Sequence, residues 1–141
     1  MIKSTWSTLL LLICMLPVNA QIKPIRTGIH SFSIQWISFD EKNPGTVMIK
    51  PLGKNKYSIE GEQRNKAKND YVTIKGSFEV ADRQLYFDGK IVSRVSYINN
   101  GQPCESNGLA VFKASGTRKY WRLQQMLNCD GVSTDYIDIF F

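Results

Sequence analysis

His30 is the only histidine in the chain, so every scheme that needs an imidazole beside a nucleophile, a metal or a second histidine comes down to that one residue. The sequence holds no G-x-S-x-G elbow, no H-E-x-x-H pair and no EF-hand loop, so neither a serine triad nor a metal centre has its usual framework. The alternation around His30 predicts a partly exposed strand residue. Two carboxylates flanking a bond can hydrolyse a glycoside, and Asp135 and Asp138 are the close acidic pair in a strongly apolar strand. Three positions apart on a strand, they point to opposite faces and cannot converge on one substrate. Neither G-x-x-x-x-G-K nor G-x-G-x-x-G occurs, so no loop is built to cradle a nucleotide phosphate. These counts predict no catalytic set, no cofactor and no metal, and hence a non-catalytic protein.

Arg118-Lys119-Tyr120-Trp121-Arg122 interleaves cations with aromatic rings, a combination that attracts sulfates or carboxylates while stacking on a sugar or a base. With Trp121 and Leu123 toward the core, Arg118, Tyr120, Arg122 and Gln124 face outward. Such a face would bind anionic glycan. Its plainer use is a cross-strand ladder whose apolar stems cover the sheet.

Compartment follows from the first twenty residues. Lys3, the apolar run Leu9–Leu16, Pro17 and the small-residue site Val18-Asn19-Ala20 form a secretory leader, with cleavage expected before Gln21. The apolar run is about half of the ~20 residues a membrane-spanning helix needs, so no helical anchor is expected. A lipoprotein reading through Cys14 would want a small residue just before it, and Ile13 stands there. The division is a leader over 1–20 and a single β domain over 21–141, secreted or periplasmic. Export makes cellular nucleic acid a poor partner. Of the 18 basic and 12 acidic groups only Lys3 leaves with the leader, so the remainder is modestly basic. Cys14 leaves as well. Cys104 and Cys129 remain, without a C-x-x-C spacing or a nearby histidine, and are expected to form a disulfide.

The elements that must position these side chains are strands. From residue 28 onward the pattern is period two, rich in Ile, Val, Tyr, Phe and Thr, and broken every 8 to 12 residues by Gly, Asn, Asp or Pro. A first strand is read over Gly28–Asp40, with a change of phase after Trp36 that signals a bulge. Further strands carry Val47 and Ile49, then Tyr57 and Ile59, then Val72 to Val80 with Gly76 facing inward. Glu62 to Asp70 reads as a loop or ragged hairpin end, and Asp88-Gly89 as a tight turn or a bulge inside one long strand running on through Ile91, Val95 and Tyr97. Leu109–Ala114, Arg118–Leu127 and Thr134–Phe141 complete the set. The fold class is all-β: an antiparallel up-and-down meander of eight or nine strands, closing into a small barrel or strongly curved sheet because closure removes edges.

Strand count and spacing over residues 28–141 resemble a lipocalin-like barrel. At the place of the lipocalin G-x-W motif this chain has Gly28-Ile29-His30, with its tryptophan later at Trp36. That resemblance implies a binding protein with a small apolar ligand inside, against Phe32, Trp36, Phe78, Phe87, Tyr97 and Trp121. Gly116 to Gln124, Asn128-Cys129-Asp130-Gly131 and Asp135 to Phe140 are similar to small exported bacterial proteins of no assigned role. Beside the glycan alternative stands a third: the ending Ile137, Ile139, Phe141 resembles that of an outer-membrane barrel, although the charges alternating with these strands suit a soluble surface better.

Overall fold

The structure is a computed structural model that describes residues 24–141. Its strands are β1 (Gly28–Ile34), β2 (Thr46–Gly53), β3 (Lys56–Asn65), β4 (Asp70–Ala81), β5 (Gln84–Arg94), β6 (Cys104–Lys113), β7 (Tyr120–Leu123) and β8 (Ile137–Phe140). Each pairs antiparallel with its neighbour in sequence, and β8 returns to β1, closing the barrel. The leader expected over 1–20 lies outside the described residues.

Alternation does the folding. Along β5, Leu85, Phe87 and Ile91 are buried while Tyr86, Asp88 and Lys90 are exposed, and β2 to β4 repeat the scheme. One apparent interruption in the sequence turns out to be continuous strand. Asp88-Gly89 is neither a turn nor a bulge: Gly89 sits opposite Gly76 in an unbroken register. A Cβ on either glycine would collide with the backbone of the facing strand and with the Phe87 ring, so the pair lets the two strands approach and the ring lie over them. The polar stretch 62–70 is the hairpin end it was expected to be: β3 runs to Asn65, residues 66–69 turn, and Asp70 opens β4 paired with Asn65. Its polar inward members are satisfied: Asp70, 2% exposed, accepts from Arg94 Nη1 and from the Ser96 amide.

Other expected strands are shorter than their apolar patterns. The first ends at Ile34, so the phase change at Ile37 marks the chain leaving the sheet, not a bulge. From here β1 divides its partners: Gly28 to Ser31 pair with β2, and Phe32 to Ile34 with β8. The gap left beside β2 is filled by a side chain. Ile34 N–H donates to Gln63 Oε1 at 2.9 Å and Gln63 Nε2 donates to Ile37 O at 3.5 Å, while Phe32 N–H reaches Gly45 O at 2.9 Å. Expected strand beyond Leu123 is a loop; Leu127 and Thr134 meet there in an isolated bridge.

That loop is tied to the barrel by the Cys104–Cys129 disulfide, whose Cα atoms lie 5.5 Å apart. The ends of the described chain meet at His30, which is 1% exposed and not, as its alternation predicted, partly open. Its Nδ1 lies 2.7 Å from Phe140 O and its Nε2 2.7 Å from Arg26 O, so the lead-in to β1 and the end of β8 converge on one ring.

Candidate functional site

The residues expected to line an interior ligand cavity are mostly the core itself. Phe32, Phe78, Phe87 and Trp121 are at most 6% exposed and belong to one continuous apolar cluster. Phe87 meets Phe112 edge-on at 5.9 Å between ring centroids, and Phe78 stacks on Tyr57 at 5.4 Å. Eight strands enclose about the volume that side chains alone can fill. The hollows that border Phe32 and Phe78 open to the outside.

Trp36 and Tyr97 lie apart from that cluster's centre, at one end of the barrel. Trp36 is half-buried and its Nε1–H donates to Asp135 Oδ1 at 2.9 Å. Tyr97 is not an interior residue: it is 60% exposed, its hydroxyl donates to Trp36 O at 3.0 Å, and its ring meets Trp36 edge-on. The reason is that β5 ends at Arg94, so the alternation that would turn Tyr97 inward stops three residues short of it.

On the outer face of β7 and β8 the basic and aromatic residues form a ladder. Tyr120 pairs across with Phe140 and Arg122 with Asp138. Arg122 Nε donates to Asp138 Oδ1 at 2.8 Å and Nη2 to Oδ2 at 2.7 Å, a two-pronged bond. Its guanidinium also lies 5.0 Å from the Tyr120 ring and 4.2 Å from the Tyr136 ring. The hydrogen bonds to Asp138 raise the Arg122 pKa, with burial opposing them. Arg122 is therefore committed to its own sheet. Arg118 is exposed, lies 5.6 Å from the Tyr120 ring, and makes no ion pair among the described residues.

Asp135 and Asp138 do not converge, in keeping with their spacing, although Asp135 precedes β8 and does not lie within it. Asp135 is buried and also accepts from Asn128 Nδ2 at 2.8 Å. Among the described residues no group of three His, Cys, Asp or Glu could hold a metal ion.

Beside this ladder, along the gap where β1 parts from β2, runs an open groove of about 430 Å³. Ser31, Ser33 and Gly45 are among its lining residues, together with Phe39 and Phe140. Phe39, 75% exposed, also borders a second hollow of about 250 Å³ with Asn43, Arg64, Asn65 and Lys66. Phe39 falls within the strand expected over Gly28–Asp40, whereas β1 ends at Ile34 and leaves it on a loop. The signal was present: a phase change followed by Asn43-Pro44-Gly45 also fits a strand that stops early.

These features define a small, closed, eight-stranded β-barrel with a packed interior and an aromatic, basic outer strip. The chain belongs to the PM1083 family, whose sequence model matches residues 19–141. It is 38% identical over 153 aligned residues to the uncharacterized protein PM1083 of Pasteurella multocida (strain Pm70), a match that covers 99% of this chain and 96% of that one. No solved structure matches the chain. No helix of the described residues is long and apolar enough to cross a membrane.

Proposed function

We propose that this is an exported, non-catalytic binding protein that recognises anionic glycan on the outer face of β7 and β8. The observation that carries this reading is the contrast between a filled barrel and an ordered outer ladder of rings and cations, Arg118, Tyr120, Arg122, Tyr136 and Phe140. Rings held by cross-strand packing lose little freedom on binding, and Arg118 beside them is free to meet an anion. The disulfide supports an oxidising compartment outside the cytosol.

The alternatives fit the geometry less well. A lipocalin-like carrier would have to displace Phe32, Phe78, Phe87 or Trp121 from a close-packed core to admit an apolar ligand. A lipid-facing barrel needs an apolar outer band, whereas Lys50, Glu60, Lys75, Glu79, Asp88 and Lys90 are exposed on the central strands.

Retention on a sulfated or uronic polysaccharide resin tests the reading. The chain is expected to bind at low ionic strength, to elute with salt, and to elute earlier as Arg118→Ala or Tyr120→Ala. Passage of the unaltered protein through both resins at low salt overturns it.

A further inference from the structure

The outer ladder does not end at β8. Phe140 packs at a tilt against Tyr120, 5.5 Å between ring centroids, and also lines the groove beside β1. Adjacent strands lie about 4.8 Å apart, so the groove starts roughly 10 Å from β7, about two strand spacings away. The hydroxyls of Ser31 and Ser33 there have no hydrogen-bond partner among the described residues, while Gln35 and Gln63, which also line the groove, are bonded to backbone groups. At its far side stands Phe39, an aromatic ring left three-quarters in solvent on a loop between two hollows. Lys66 borders the second hollow and makes no ion pair among the described residues, whereas its neighbour Arg64 is held by Glu62 at 2.8 Å.

We infer that this groove is a second saccharide subsite, in which a sugar ring packs against Phe39 and Phe140 over the hydroxyls of Ser31 and Ser33 and directs its anionic group toward Lys66. The inference rests on the glycan reading above and extends it from one face to a strip crossing β7, β8 and β1. The groove, together with Lys66 in the hollow beyond Phe39, matches the parts of an anionic pyranose. Aromatic faces carry negative charge density and attract the polarised C–H groups of the ring. Free hydroxyls exchange hydrogen bonds with sugar hydroxyls, and an unpaired ammonium meets a carboxylate or sulfate. The volume is within the range of small-ligand sites.

Calorimetric titration of the full chain with a galacturonate hexasaccharide, and separately with a sulfated hexasaccharide, tests it. The arm that binds identifies the anionic group. Phe39→Ala should weaken binding about tenfold, as loss of a single aromatic anchor does. Lys66→Ala should weaken it less and flatten its dependence on salt. Phe39 is too exposed to support the core, so the melting temperature of Phe39→Ala should match the parent. If both variants bind like the parent while Arg118→Ala loses affinity, the groove is overturned and the outer-face reading stands. If the parent binds neither saccharide, both fall.

Discussion

Arg122 and Asp138 face each other across β7 and β8 with two hydrogen bonds of 2.8 and 2.7 Å, and the guanidinium lies between two tyrosine rings. Arg122→Ala would leave the Asp138 carboxylate, 10% exposed, without its counterion. The expected loss is about 2 to 3 kcal/mol in urea unfolding, less than for a fully buried pair because part of Arg122 stays solvated. Arg122→Lys keeps the charge but not the fork, and should lose about 1 kcal/mol. Equal stability of all three proteins would show the pair to be idle.

Gln63 acts as a piece of strand. In Gln63→Leu the Ile34 amide and the Ile37 carbonyl lose their partners in a buried place, at a cost of about 2 to 4 kcal/mol. Amide hydrogen exchange gives a sharper reading than stability alone: the Ile34 N–H should exchange far faster in the variant, with β4 and β5 unchanged.

The Cys104–Cys129 bridge closes a separation of 25 residues, which corresponds to about 3 kcal/mol in the chain-entropy account. The double variant Cys104→Ser, Cys129→Ser should lose about that much, and protease should then cut first between Gln124 and Thr134. A variant as resistant as the parent there would show that the barrel alone holds the loop.

Acid should loosen that same loop through Asp130. The Ser133 hydroxyl, at 2.5 Å, and the amides of Val132 and Ser133 bond its carboxylate and hold its pKa below the ordinary value. A depressed carboxylate stabilises the fold above its unfolded pKa of about 3.9 and ceases to do so as pH falls through the lower folded value. Between about pH 5 and about pH 2 the parent's melting temperature should therefore fall more steeply than that of Asp130→Asn. Parallel curves would remove Asp130 from the acid response.

The meander and its closure were legible because inward and outward residues alternate cleanly over β2 to β5, where each strand has two long neighbours. Boundaries were less legible where pairing is partial. Isolated alternation cannot tell a strand residue from one such as Tyr97, which lies just beyond the last ladder bond. Of the site, the basic-aromatic run on β7 was readable from spacing. That Arg122 is spoken for by Asp138 was not, because it depends on the register between β7 and β8. The groove was less readable still, since it arises from β1 changing partner halfway along its length.

The meeting of Arg26 and Phe140 at His30 places the beginning and the end of the domain side by side. A short linker from Phe141 to Pro24 could therefore join them with little distortion, and the Asp82-Arg83 turn between β4 and β5 offers a place to open the circle. For the same reason, a partner joined directly to Pro24 and one joined to Phe141 would leave the barrel from one shared corner.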